Sequence, residues 1–138
     1  MTRNNIPTPE TSVAFKAKTA LDMAKNQVGF PFVTKPIVGS WGRMVAKIND
    51  EDAARAVFDS KQVMGSVNQK VHYLQEYIQT PKGEPTDIRV FYLGGECIAA
   101  MGRYNPENDF RSNIAIGGAA KPYPITKDVQ KLCLKIAE

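Results

Sequence analysis

Lys35 ends the apolar run FPFVTKP, and Gly39, Ser40, Trp41, Gly42 and Arg43 follow it in VGSWGR. A lysine ammonium is a compact charge suited to phosphate oxygens, and two glycines let backbone N–H groups approach the same oxygens closely. By its chemistry the stretch is an anion cradle. It matches neither G-x-x-x-x-G-K-[ST] nor G-x-G-x-x-G, and a plain surface hairpin with a lysine in its stem uses the same residues. Trp41 is either a core anchor or a ring that covers a ligand from the loop tip. Lys47 is either on a solvated strand face or a second cationic contact.

Gln75, Glu76, Tyr77 and Ile78 form the second candidate. A strand offers main-chain donors and acceptors to a purine edge, apolar side chains to its faces, and here a carboxylate, Glu76, to an amine or ribose hydroxyl. An exposed strand acid is the equally open alternative.

The third group is Asp87 with Arg89, Arg103, Arg111 and Asn113. If two strands pair through Gly94 and Gly95, Arg89 and Arg103 share a sheet face, and Arg111 and Asn113 arrive from the next loop. Guanidinium groups bind carboxylate or phosphoryl oxygens bidentately and stay charged at neutral pH, which suits a reaction that gathers negative charge. The alternative is that these arginines pair with Asp87, Glu107 and Asp109 at the rim. His72 lacks a partner at metal spacing and reads as a structural strand histidine. No Ser/His/Asp or Cys/His arrangement is present at recognisable spacing, and no residue is assigned to a metal.

These residues need elements to hold them. Thr11–Ala14 reads as a short strand; Phe15, Lys18 or Ala17, Leu21, Ala24 and Val28 recur at helical spacing over about residues 15 to 27, with Gly29 as the stop. Pro31 confines the Phe30–Pro36 run to the start or edge of a strand. Met44–Ile48 pairs with it as a hairpin whose tip is the glycine loop. Asn49 or Asp50 caps a helix with core face Ala53, Ala54, Val57 and Phe58. Residues 59 to 70 read as a polar connection, Val71–Gln79 as a strand, and TPKGEPT as a turn. Ile88–Leu93 and Cys97–Tyr104 form a hairpin; NPENDFRSN and IAIGGAAKPYP read as loop and turn. Thr126 caps a last helix whose apolar face is Val129, Leu132, Cys133 and Ile136. Residues 1–79 and 80–138 are expected as two lobes of an α+β protein.

The 138 residues are 43% hydrophobic and 23% charged, which is ordinary for a globular protein and argues against disorder. Eighteen basic residues against 14 acidic ones give +4, a field that favours anionic partners without resembling a nucleic-acid tail. Cys97 and Cys133 lack C-x-x-C spacing, so free thiols are expected rather than a zinc site or a disulfide. Neither a signal segment nor a membrane-spanning run is present, which makes the cytoplasm the expected location.

NIPTPET, GFPFVTKPIVGSWGRMVAKI, YLQEYI, DIRVFYLGGECIAAMGRY and DFRSNIAIGGAAKPYPIT, in that order, resemble the ATP-grasp fold. More narrowly, they are similar to the LysX/ArgX and RimK-like carboxylate-amine ligases. The SWGR variant looks especially like the ligases of lysine and arginine biosynthesis that use an amino-group carrier protein. The resemblance implies a partial ATP-grasp fold, with antiparallel sheets and packed helices in two lobes. It also implies ATP and Mg2+ as cofactors, with Lys35 on nucleotide phosphates and Gly39 to Arg43 as a loop over them. Gln75 to Ile78 would lie around adenine, and Arg89, Arg103, Arg111 and Asn113 would face the phosphoryl group or amino-acid carboxylates.

Such enzymes phosphorylate a carboxylate and let an amine attack the acyl phosphate; here the amine would belong to α-aminoadipate or glutamate. Family members carry further segments before and after the matching region, so the chain is expected to be the central part of a larger ligase, with metal ligands beyond residue 138. The carrier protein and an amino acid are the implied partners, with a homo-oligomer for the intact protein and neither membrane nor nucleic acid. Two other readings stand beside this one: a RimK-like ligase adding glutamate to a protein tail, and a noncatalytic nucleotide or nucleic-acid binding module motivated by the positive balance. Aromatic platforms are not interleaved with the basic positions, which counts against the last.

Overall fold

Ser12 and Ala14, Phe32 and Thr34, and His72 and Leu74 are buried, and each alternates with a more exposed neighbour. This period of two makes three strands with one face on a core: β1 (Thr11–Ala14), β2 (Phe32–Lys35) and, after β3 (Ala46–Ile48), β4 (His72–Glu76). The computed structural model describes residues 4–137. Contacts divide the chain into two units, one Pro9–Gln79, the other running from Thr80 onward together with the residues up to Thr8.

In the Pro9–Gln79 unit the strands form one antiparallel sheet in the order β1-β4-β2-β3. Phe32 lies between Ile48 and Glu76, and Thr34 between Ala46 and Leu74. Pro31, joined to Phe30 by a cis peptide bond, precedes the first residue of β2, so the central strand loses no ladder donor to it. The core face packs against α1 (Ala17–Met23), its π-helical continuation Ala24–Val28, and α2 (Glu51–Met64). Ala20, Ala24, Ala54 and Phe58 are fully buried there. The first helix begins two residues later than its spacing suggests, and Phe15 stays exposed on the bend before it. Gly29 ends the π turn at φ 81°, a backbone that glycine adopts without strain.

Asp50 caps α2 by accepting from the Ala53 N–H at 2.8 Å. Asp50→Ala is expected to cost about 1 kcal/mol, read as a fall in the urea midpoint. Helix α2 runs through Met64, past the start of the polar connection expected from residue 59. Its last turns carry Val63 and Met64 exposed, so no apolar face marks them in sequence. The helix stops at Gly65, whose N–H reaches the Lys61 carbonyl at 3.0 Å. A Cβ at Gly65 would lie 2.3 Å from that same oxygen.

The second unit is built on β5 (Asp87–Leu93) and β6 (Glu96–Tyr104), joined through Gly94 and Gly95 at φ 61° and 92°. Two consecutive positive φ values are the turn geometry that matches the twist of a two-residue hairpin. Part of the expected turn after Ile116 is instead a strand, β7 (Ala119–Pro122), paired with β6. It is exposed throughout, short and ends in proline, the features of an edge strand that leave no alternation to read. Thr126 accepts from the Val129 N–H at 3.3 Å to cap α3 (Lys127–Ala137). Residues before Pro9 join this unit: Ile6 is buried, and Lys135 Nζ donates to the Asn5 carbonyl at 3.0 Å. Among the described residues, no helix is long and apolar enough to cross a membrane.

Candidate functional site

The sheet face of the Pro9–Gln79 unit turned away from the core carries Thr11, Val33, Lys35, Lys47, Tyr73 and Gln75 by strand alternation. Lys35 Nζ donates to Gln75 Oε1 at 2.8 Å and lies 4.9 Å above the Tyr73 ring. The Gln75 amide nitrogen donates to Thr11 Oγ1 at 2.9 Å and to Tyr73 Oη at 3.3 Å, which turns its oxygen toward the ammonium. Lys47 sits 4.7 Å over the Tyr77 ring. Neither lysine is in an ion pair among the described residues. Two ammonium groups are therefore held on one face by neutral partners, with their charge left for an anion.

The loop between β2 and β3 reverses through Trp41, Gly42 and Met44 at φ 63°, 70° and 60°. The Arg43 N–H donates to the Ser40 carbonyl at 3.2 Å. Only Gly42 takes such a φ without cost; Trp41 and Met44 each sit in a region that L residues avoid. Trp41 is two-thirds exposed, so it is no core anchor. Met44 Sδ accepts from Gln69 Nε2 at 3.3 Å, which ties the loop root to the turn after α2.

At the end of β4, Glu76 Oε2 accepts from the Glu10 N–H at 3.2 Å, while the Glu76 N–H donates to the Glu10 carbonyl at 2.8 Å. Its carboxylate helps close the strand end and stays exposed. Ile78 lies beyond the strand, exposed, with no hydrogen bond to its backbone among the described residues. A free N–H and C=O on one residue fit the donor–acceptor edge of a purine.

In the other unit Asp87 faces Arg103 across the β5–β6 ladder. The pair is bidentate, Nε–Oδ1 2.7 Å and Nη2–Oδ2 2.8 Å, and the Ser112 hydroxyl also donates to Asp87 Oδ2. Arg89 shares this face by register and is exposed, and its side chain has no hydrogen bond or ion pair among the described residues. Arg111 Nη2 meets Asp109 Oδ2 at 2.6 Å. The backbone carbonyl of Asn113 accepts from the N–H groups of Ile116 and Gly118 at 3.1 and 3.2 Å, and this fixes the turn that follows Arg111. Arg103 and Arg111 thus have carboxylate partners of their own, as the rim alternative holds, though Glu107 pairs with neither among the described residues. Of these three arginines, Arg89 is the one whose guanidinium has no hydrogen bond or ion pair among the described residues.

Burial pushes the Asp87 carboxyl upward, but hydrogen bonds from Arg103 and Ser112, with the charges of Arg103 and Arg89, hold it below the usual range. A depressed folded pKa means stability that is fully present above the unfolded value near 3.9 and is lost as pH falls through the folded one. Asp87→Asn should cost about 1 kcal/mol at pH 7, the pair being partly exposed and screened, and clearly less near pH 3. Urea midpoints at the two pH values measure this. A hydrogen bond from Arg111 lowers the Asp109 carboxyl in the same way.

Tyr73, Thr11 and Ser112 are partners that the sequence reading missed. The alternation of β4 held the signal for Tyr73, since with His72 and Leu74 inward it must share the face of Gln75. Nothing in the sequence sets Ser112 against Asp87.

Residues 1–138 match the RimK-like ATP-grasp domain, and the chain belongs to that family. It is 36% identical, over its full length and 48% of the relative, to the α-aminoadipate–LysW ligase LysX of Saccharolobus solfataricus. Identity to the glutamate–LysW ligase ArgX of Sulfurisphaera tokodaii is 36% over 96% of the chain and 46% of that protein. Identity to the ribosomal protein bS6–L-glutamate ligase of Escherichia fergusonii is 35% over 99% and 44%. The chain spans about half the length of the curated relatives it matches.

Among solved structures, a RimK-domain ATP-grasp protein of Sphaerobacter thermophilus superposes with TM-score 0.69 at 20% identity, covering 98% of this chain and 45% of that one. The ATP-grasp ligase PsnB, solved with Mg and ADP, gives 0.65 at 18% identity over 99% and 38%.

The donor set on the open sheet face, two lysines and a glycine loop, fits a polyphosphate. Among the described residues no group of three or more His, Cys, Asp or Glu is placed to hold a metal ion. No magnesium ligand is therefore assigned.

Proposed function

We propose that the chain is part of an ATP-dependent ligase that activates a carboxylate as an acyl phosphate and joins it to the amino group of α-aminoadipate or glutamate. One observation carries the reading: in a RimK-like ATP-grasp chain, Lys35 stands on an open sheet face at the root of the glycine loop, aimed by the neutral amide of Gln75. ATP supplies the phosphoryl group that turns a carboxylate oxygen into a leaving group. Lys35, with Lys47 beside it on the face, neutralises phosphate oxygens, and N–H groups of residues 39 to 41 add donors. The free backbone pair of Ile78 takes the purine edge, beside Glu76 and Tyr77.

In the second unit Arg89 takes a phosphoryl or carboxylate oxygen. Arg103 and Arg111, aligned by Asp87 and Asp109, keep positive charge on the same structural unit, and Asn113 fixes the turn after them. No side chain here needs to act as a nucleophile, because the amine of the second substrate attacks. The names of the relatives as LysW ligases support an amino-group carrier protein as the partner.

The intact protein should release ADP from Mg-ATP only when an acceptor carboxylate and an amino acid are both supplied. Carrier-protein tail and ribosomal-protein tail, each offered with α-aminoadipate or glutamate, are the separating arms. Turnover with the ribosomal tail alone would move the reading to the other branch of the family, which the similarity to the bS6 ligase motivates. Silence in every arm would end the ligase reading.

A further inference from the structure

Cys97 of β6 is paired across the ladder with Tyr92 of β5. Tyr92 lines a groove of about 410 Å3 between β5 and α3, together with Ile88, Val90, Leu132 and Cys133. Cys97 lines the adjoining depression with Gln130, Lys131 and Leu134 of α3. The two cysteines therefore approach each other between sheet and helix, one from each side of the seam. Both are free and half-buried, and Cys133 is the titratable neighbour of Cys97. The ligase reading uses neither of them.

We propose that Cys97 and Cys133 are an oxidisable pair, closed to an intramolecular disulfide by a low-molecular-weight disulfide. One thiolate attacks the oxidant, forming a mixed disulfide and expelling a thiolate that takes up a proton. The second cysteine, as thiolate, then attacks the protein sulfur of that mixed disulfide and expels the other half of the oxidant. Two protein thiols are oxidised, and one small disulfide is reduced to two thiols. A bridge requires converging Cβ positions, and two cysteines that face one seam, from β6 and from α3, are placed to converge.

The bond would tie α3 to β6. None of the α3 residues is buried, and Leu132, Leu134 and Ile136 of its inner half are each more than two-fifths exposed, so packing alone holds the helix weakly. Closing residues 97 to 133 into a loop removes freedom from the unfolded chain as well. Partial burial, and after it the neighbouring Cys133, push the Cys97 thiol above its ordinary range. Exchange should consequently quicken as pH rises.

The test incubates the chain with oxidised glutathione at about pH 8, where thiolate is available, quenches with acid, and reads mass, titratable thiols and Tm. The expected product is monomeric, lighter by two hydrogens and without titratable thiol. Its Tm should be higher by at least ~5 °C, and dithiothreitol should reverse the change. Cys97→Ser and Cys133→Ser should each stop at a single glutathione adduct. Persistence of both thiols, accumulation of adducts on the parent chain, or disulfide-linked dimers would overturn the pair. A bridge that leaves Tm unchanged would overturn the restraint on α3.

Discussion

Lys35→Ala in the intact protein is expected to weaken ATP binding by about 10- to 100-fold, the value of a charge-assisted hydrogen bond worth roughly 1.5–3 kcal/mol. The ammonium is already oriented: Gln75 accepts from it at 2.8 Å, and the amide is itself held by Thr11 and Tyr73. Little ordering of the side chain remains to be done when phosphate arrives, so most of the contact energy reaches the affinity. The Tyr73 ring beneath it offers about 0.5–1 kcal/mol at an exposed site, too little to compete with a phosphate. Folding should hardly change, because Lys35 lies on the open face and not among the core residues. Titration calorimetry with ATP, alongside a urea midpoint, separates these outcomes. An affinity equal to the parent's would remove Lys35 from the site; a lost midpoint would make it structural.

Lys35→Arg and Gln75→Ala sharpen the test. Arginine keeps the charge but spreads it over a planar fork on a longer arm, so it should restore only part of the affinity. Gln75→Ala keeps the ammonium and removes its support, and should fall between parent and Lys35→Ala.

How far the sequence reaches differs between the two units for physical reasons. In the Pro9–Gln79 unit β2 is legible as an apolar run, β4 from its aromatic and branched content and the start of α2 from residues that recur by threes and fours, whereas the inward faces are not, because polar Ser12, Thr34 and His72 point inward and Val13 and Val33 do not. The ordered motifs from SWGR to FRSNIAIGG carry the family, and the match over residues 1–138 agrees. What failed are segments without a buried face: the end of α2, where Val63 and Met64 point outward, and β7, exposed along its whole length. For the site, residue types identified the cations but not their partners. Arg103 and Arg111 look alike with Arg89 in sequence, yet only the ladder register and the Asp109 turn reveal that carboxylates already hold the first two. The Gln75 network depends on residues 64 positions apart, a separation that no local pattern encodes.

Phe58→Ala should cost about 3–5 kcal/mol near pH 7.5, the usual range for removing a buried ring, and distinctly less near pH 5. The ring has no exposed surface. It stacks on Phe32 with centroids 6.0 Å apart and meets the edge of His72 at 5.0 Å, so its loss opens a cavity against both. His72 is equally buried, and neither ring nitrogen has a partner among the described residues. Burial, and after it the charge of Lys61, lowers its pKa. In the parent the unfolded chain therefore binds the proton more readily than the folded one. Stability is full above the unfolded value near 6.5 and declines as pH drops below it toward the folded pKa. Removing the Phe58 ring leaves a space with two unpartnered nitrogens at its wall, polar enough for water to enter. Solvation returns the folded pKa toward its ordinary value, and the acid decline of the variant should be shallower than that of the parent. Urea midpoints at the two pH values measure both slopes. Parallel slopes would mean that the imidazole stays dry without the ring, and that Phe58 contributes packing but does not set the protonation of its neighbour.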